Sequence, residues 1–302
     1  MQIRILPGAL RRAVNHRSFR LLTQKVDKNM NPSKRQILLV NDDGIFSPGI
    51  WAAAEALASI AYVTVVAPRI QFSGAGRSLG NGVDGKIEPT QLKIGSQEWT
   101  CYAVGASPTQ AVQIGINVIL QQKPDLVVSG INYGENPATD VSLSGTVGAA
   151  LEGAAHGVPS LAMSLELHNE DWFNYPEVDF KTAGYFTRLF AQMMLETQLP
   201  DDVDVLNVNV PAEATPATPW QMARLSRRRY FKPFFNKAAT EDKDKVGSTV
   251  EFDLDDPSDA GSDVRLLRGD HVVTVTPLSL DMTSRVNLAA FEQELRRAEP
   301  GQ

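Results

Sequence analysis

The stretch from Arg35 to Ala67 limits the possible fold more than any other. Two short apolar runs, Arg35-Gln-Ile-Leu-Leu-Val-Asn41 and Tyr62-Val-Thr-Val-Val-Ala67, flank a segment, Gly49–Ile60, whose apolar residues Ile50, Trp51, Ala54, Leu57 and Ala58 recur at helical spacing. A strand apolar at consecutive positions is buried on both faces, which is the habit of a parallel sheet covered by helices. Parallel neighbours need a crossover connection, and the middle segment supplies one. The expectation is an α/β fold with a doubly wound, mainly parallel sheet.

The rest of the chain continues this alternation. Further strands are expected at Gln91–Ile94, Thr100–Val104, Asp125–Ser129, Ser160–Leu165, Val203–Val210 and His271–Thr276. Helices are expected at Pro108–Gln121, Ser144–Gly153, Asp179–Glu196 and Val286–Arg297. Ser107 suits the N-cap of the first of these, with Pro108 at the first helical position. From Arg224 to Asp263 the periodicity fades into a basic, aromatic run and then a highly charged stretch. That segment reads as an arm or hairpin outside the core sheet. One α/β body over 35–297 accounts for these elements, and no internal repeat is visible.

Composition narrows the class. With 43% hydrophobic and 21% charged residues, the chain is ordinary globular protein. No apolar run reaches the roughly eighteen residues that a membrane helix needs, so no membrane association is expected. The single cysteine, Cys101, rules out an intrachain disulfide and a four-cysteine zinc site, and fits a reducing, cytoplasmic compartment. It lies in an apolar run and reads as a buried structural thiol. Residues 1–35 hold nine Lys/Arg against one acid, Asp27, whereas the remainder holds 20 basic and 34 acidic residues. An acidic body argues against a stable nucleic-acid complex. The basic segment 1–34 reads as a disordered extension or a start placed upstream of Met30, with organelle targeting as the alternative.

In doubly wound sheets ligands collect at the carboxyl ends of the strands. Three expected strands end in loops dense in polar residues and glycine: Asn41-Asp-Asp-Gly44, Ser73-Gly-Ala-Gly-Arg-Ser78 and Ser129-Gly-Ile-Asn-Tyr-Gly-Glu-Asn136. Adjacent carboxylates at Asp42 and Asp43 repel each other, and a hard divalent cation such as Mg²⁺ or Mn²⁺ relieves that repulsion. A plain turn is the competing reading, since Asp-Asp-Gly is good turn chemistry. Ser73 could give a hydroxyl ligand, and Gly74 and its neighbours backbone N–H groups. Asn132 and Asn136 could present amide oxygens. Ser144-Gly145-Thr146, at a helix start, offers N–H groups and hydroxyls to a phosphate.

Other signals are weaker. The Gly-Ala-Gly-Arg-Ser-Leu-Gly run imitates a dinucleotide fingerprint but follows the second strand, with its third glycine one position late. His16, His156, His168 and His271 lack metal-ligand spacing and read as structural or surface groups. The Arg227-Arg-Arg-Tyr-Phe-Lys-Pro run reads as a solvated or subunit-facing strand.

Taken together, these blocks resemble the SurE (survival protein E) 5′-nucleotidases. The signature run is Ile37-Leu-Leu-Val-Asn-Asp-Asp-Gly-Ile-Phe-Ser-Pro-Gly49. Val65-Val-Ala-Pro68 with Ser73-Gly74, Val127 to Asn136, Ser144 to Val147, and Val275-Thr-Pro-Leu278 with Asp281 follow in the family's order. The resemblance spans about residues 35–297 and implies a Rossmann-like fold. It also implies one divalent cation per subunit held by Asp42, Asp43, Ser73 and Asn132, and a substrate site that includes Asn41, Gly74, Asn136, Ser144, Gly145 and Thr146. A C-terminal arm, at 224–263 here, would be exchanged in a homodimer or homotetramer. The implied reaction is metal-dependent hydrolysis of nucleoside 5′-monophosphates, with 3′-nucleotides and short polyphosphate as further substrates and Asp42 and Asp43 as the catalytic pair.

Two blocks depart from the family pattern. Gly76 and Gly80 stand where serine and threonine are usual, and Ala106-Ser-Pro-Thr-Gln110 ends in an amide where an acid is usual. These changes leave room for a non-catalytic nucleotide or metal sensor on the same fold. The haloacid-dehalogenase phosphatases, which need Asp-x-Asp, fit poorly, because here the acids are adjacent.

Overall fold

A computed structural model describes residues 35–80, 84–94, 97–167, 177–235, 246–250, 253–256 and 259–299. The readings of 1–34, including His16, and that of His168 lie outside the described residues.

Nine strands form one sheet. They are β1 (Gln36–Val40), β2 (Tyr62–Pro68), β3 (Ile87–Ile94), β4 (Gln97–Val104), β5 (Leu126–Tyr133), β6 (Ser160–Leu165), β7 (Val205–Val210), β8 (Trp220–Met222) and β11 (Val273–Leu278). Their order is β3-β4-β2-β1-β5-β6-β7-β11-β8. All neighbours run parallel except β3 against β4 and β11 against β7. The chain travels outward from β1 through β2 and β4, then returns to add β5 on the other side of β1. The switch point therefore lies between β1 and β5.

Helices cover both faces. α1 (Pro48–Ala58) and α4 (Lys181–Glu196) pack on one face with a core that includes Trp51, Val128, Phe186 and Val208. α2 (Pro108–Ile114) and α3 (Gly145–Ala155) cover the other, over Leu38, Val40, Val66, Val127 and Ala162. Burial on both faces explains why β1, β6 and β7 are buried at every position. Ser47, Ser107 and Ser144 cap the three helices that follow strand-end loops, each accepting a backbone N–H from the first turn.

Four elements differ from expectation. The helix starting at Pro108 changes to π-helical winding over Gly115–Leu120 and ends at Gln121, which has positive φ. A Cβ at Gly115 would lie 2.6 Å from Leu38, so the helix presses directly on β1 at this point. Strands β3 and β4 are longer than their apolar cores suggest, because they pair as a full antiparallel ladder at an exposed edge that polar residues tolerate. Strand β8, only three residues long and exposed, gives no sequence signal.

The segment 224–263 is not one uniform element. β9 (Phe231–Phe235) and β10 (Val246–Val250) form a separate two-stranded antiparallel hairpin. Its base is anchored in the body: Ser226, Tyr230, Asp259, Ser262 and Asp263 are buried, and α5 (Asp263–Arg268) packs beside β11. The last helix, α6 (Leu288–Arg297), buries none of its residues and exposes Leu288, Phe291 and Leu295. Among the described residues, no helix is long and apolar enough to cross a membrane.

Candidate metal and phosphate site

The site assembles at the switch point from three strand-end loops and one helix start. After β1, Gly44 at φ +94° turns the chain sharply. Asn41 braces that turn: its Nδ2 donates to the Gly44 carbonyl (3.0 Å), and its Oδ1 accepts from the Gly44 N–H (3.2 Å). Both ends of this amide are thereby engaged within the loop. The brace presents Asp42 and Asp43, which are buried at 4% and 2% exposure.

Asp42 faces the start of α3. Its Oδ1 accepts from the Thr146 hydroxyl (2.5 Å), and the Thr146 backbone N–H also reaches the carboxylate. The approach requires Gly145, where a Cβ would lie 2.7 Å from Asp42 Cβ and Oδ2. The first-turn helix dipole also favours a negative charge here. Asp43 faces the other two loops, accepting from Gln71 Nε2 (3.2 Å) and from the Tyr133 N–H (3.1 Å).

These contacts fall short of making the pair comfortable. Burial pushes the Asp42 carboxyl up to about 6 despite Thr146. Burial and then the Asp42 charge hold Asp43 well above the usual carboxylate range. Among the described residues, no cationic side chain forms an ion pair with Asp42. Two buried carboxyls destabilised by desolvation and mutual repulsion are what a cation would relieve.

The loop after β2 closes over the pair. The Phe72 N–H donates to the Asp42 carbonyl (2.7 Å), and the Gly76 N–H donates to Leu143 O (2.9 Å) beside the α3 start. Ser73 and Gly74, between these anchors, are exposed, and Gly74 takes φ +74° with open space around it. The loop after β5 contains a bulge: Ser129 pairs with Ala162 and Asn132 with Ser164, so three steps on β5 match two on β6. Bulges of this kind redirect side chains near functional sites. Asn132 Nδ2 donates to Tyr133 O (3.1 Å) and Gly134 O (2.7 Å), so the amide nitrogen is engaged within the loop and the oxygen takes no part in these bonds.

The donor set is all oxygen: two carboxylates, a hydroxyl and an amide carbonyl. That chemistry suits a hard divalent cation. The helix start adds anion-binding capacity. Ser144 Oγ accepts the Val147 N–H (3.1 Å), while the Gly145 N–H has no acceptor among the described residues. Asn136 sits deeper, donating from Nδ2 to Ser164 Oγ (2.9 Å) and from its N–H to Asn209 Oδ1 (2.7 Å).

The sequence-derived residues thus fall into groups. Asp42, Asp43, Gly145 and Thr146 meet directly, and the loops of Ser73 and Asn132 are tied onto the acid pair. Asn41 and Asn136 hold loops in place by hydrogen bonds. Gln71 and the Tyr133 N–H were not anticipated; Gln71 is an ordinary polar loop residue, and no pattern marks a backbone donor. Cys101 is buried, with burial pushing its thiol up to about 12, in keeping with a structural role. His156 stands beside Glu152 at 3.4 Å, away from the acid pair. The amide at 110 has a structural reason: Gln110 Oε1 accepts the Ser107 N–H (3.1 Å) and Ser107 Oγ accepts the Gln110 N–H (3.2 Å), completing a capping box.

Comparison with known proteins gives the family. The family model described as Survival protein SurE matches residues 37–232. A 5′-nucleotidase SurE of Methanosarcina barkeri is 36% identical over 270 residues, covering 86% of this chain and 97% of that one. The Thermococcus kodakarensis protein of the same name is 37% identical over 261 residues, covering 86% and 98%. The crystal structure of the SurE protein from Aquifex aeolicus superposes with a TM-score of 0.64 at 30% identity, over 87% of this chain and 100% of that one.

Proposed function

The chain belongs to the SurE family, and from that premise we propose that it is a 5′-nucleotidase, a phosphoric monoester hydrolase that needs a divalent cation. The observation that carries this reading is the buried Asp42–Asp43 pair, set at the mouth of a helix start and tied to the loops that carry Ser73 and Asn132. Asp42, Asp43, Ser73 and Asn132 would hold Mg²⁺ or Mn²⁺. The cation supplies charge neutralisation of phosphate oxygens and acidification of a bound water.

The remaining work falls to the chain's own groups. The Gly145 N–H and the α3 dipole bind a phosphate oxygen, while Thr146 keeps Asp42 fixed in place. The outward-facing Ser73–Gly74 edge leaves room for the nucleoside. A carboxylate of the acid pair takes the proton from the attacking water. Nucleoside 5′-monophosphates are the proposed substrates, with 3′-nucleotides and short polyphosphate as secondary ones. The β9–β10 hairpin is the proposed subunit contact in a homodimer or homotetramer.

The test is phosphate release from AMP in Mn²⁺ by wild type and Asp43→Asn. A loss of about a thousandfold is expected, equivalent to several kcal/mol of transition-state stabilisation. Near wild-type turnover in the variant sinks the proposal. AMP binding without turnover by the wild type would instead mark a sensor.

A further inference from the structure

A second cluster of buried charge lies beyond the acid pair, at the ends of β5, β6 and the hairpin. Glu135 and Glu166 are each 4% exposed. Arg268 of α5 reaches both: Nη1 pairs with Glu166 Oε1, and Nη2 stands 3.3 Å from Glu135 Oε1. Arg268 Nε donates to the Tyr230 oxygen (2.5 Å), and the Tyr230 hydroxyl donates to Glu135 Oε1 (2.7 Å). The guanidinium also lies 5.6 Å from the centre of the Tyr230 ring, within cation–π range.

This cluster connects to the candidate cation site through one residue. Glu135 follows Gly134, whose carbonyl accepts from Asn132 Nδ2 and thereby holds the Asn132 amide in one orientation. The same loop is held a second time: Asp140 accepts the Tyr230 and Phe231 N–H groups at 3.0 and 2.9 Å. Phe231 opens the hairpin. A continuous series of contacts therefore runs from the hairpin base through Tyr230, Glu135 and Gly134 to Asn132.

We propose that Tyr230 and Arg268 are positioning residues for the cation site, fixing the orientation of the Asn132 amide through Glu135 and the Gly134 carbonyl. The inference rests on the reading of Asn132 as a ligand. Its consequence is that the hairpin base and the cation site are set together, so displacing one disturbs the other. Partners bonded directly to a ligand typically change metal affinity or activity by about 10- to 100-fold when removed, and Tyr230, which acts through Glu135 and Gly134, falls at the low end of that range.

The experiment is calorimetric titration of Mn²⁺ alone into the full chain, with AMP hydrolysis and thermal melting measured in parallel. Tyr230→Phe keeps the ring and removes the hydroxyl. It should weaken Mn²⁺ binding by about tenfold, with hydrolysis recovering at saturating Mn²⁺. Arg268→Lys, which keeps the charge and loses the planar fork, should show the same direction. Phe190→Leu, a loosened core position of α4 with no bond to this cluster, should lower melting and leave Mn²⁺ affinity unchanged. If Tyr230→Phe does not fold, Glu135→Gln serves in the same titration. Wild-type Mn²⁺ affinity in Tyr230→Phe, or in Glu135→Gln in its place, overturns the inference, as does a wild type that binds no Mn²⁺. A wild type that binds Mn²⁺ but leaves AMP intact overturns the proposed function while this inference keeps its own readout.

Discussion

Two of the protein's pairs of buried carboxylates are treated in opposite ways. Glu135 and Glu166 are supplied with a guanidinium and a phenol from elsewhere in the chain. Asp42 and Asp43 are met by a threonine hydroxyl, a glutamine amide and backbone N–H groups, all of them neutral donors. Burial costs both pairs, and it is the first that the described residues supply with a guanidinium. The contrast teaches that the chain can neutralise buried acids internally, and that it does so where the acids hold elements together. At the switch point, on the proposed function, a bound divalent cation would supply the neutralisation.

Three changes probe this contrast. Arg268→Met removes the internal cation and strands Glu135 and Glu166. Breaking a buried ion pair on one side costs roughly 3–5 kcal/mol, so a drop of that size is expected in urea unfolding. A change under about 1 kcal/mol would mean that the two clusters are energetically alike.

Next in size is the pH response at Asp263, whose carboxylate accepts the Ala138 and Ser226 N–H groups and ties the hairpin base to the β5 loop. Burial raises this carboxyl to about 6. The folded state therefore keeps a proton that the unfolded chain has released, so the stabilisation is full below the unfolded pKa near 3.8 and is lost as pH rises through about 6. The stability of wild type relative to Asp263→Asn should be greater at pH 4 than at pH 7, by about 2–3 kcal/mol. A pH-independent difference would show that hydrogen bonding to the ionised form offsets the burial.

The smallest effect belongs to the acid pair. In cation-free protein, Asp43→Asn removes a repulsive charge and should stabilise the fold by about 1 kcal/mol in thermal melting, even as activity disappears. Equal or lower stability would show that Gln71 and Tyr133 already compensate the charge.

Much of the sheet and most of the acid-pair site are legible in the sequence, because their signals are local. Buried parallel strands write themselves as unbroken apolar runs, and Asp42, Asp43 and Ser144-Gly145-Thr146 sit at fixed offsets from strand or helix ends. Departures arose where structure depends on distant partners. Tyr230 and Glu135 are 95 residues apart, and Arg268 and Glu166 are 102 apart, so no spacing announces them. Gln110 looked like a lost acid until its partner, the Ser107 N–H, came into view. Strand β8 exists only because β11 offers a parallel edge to three otherwise unremarkable residues.

Helix α3 opens with glycine at 145 and again at 148, where a Cβ would fall 2.4 Å from the Gly76 carbonyl. Each glycine costs a helix about 1 kcal/mol relative to alanine, so this first turn is a poor helix on its own. It acquires its form from the loops it touches: Asp42 on one side and Gly76 on the other. The turn and its two loops therefore form one cooperative unit, and amide exchange there should report the opening of all three together rather than the fraying of one helix end.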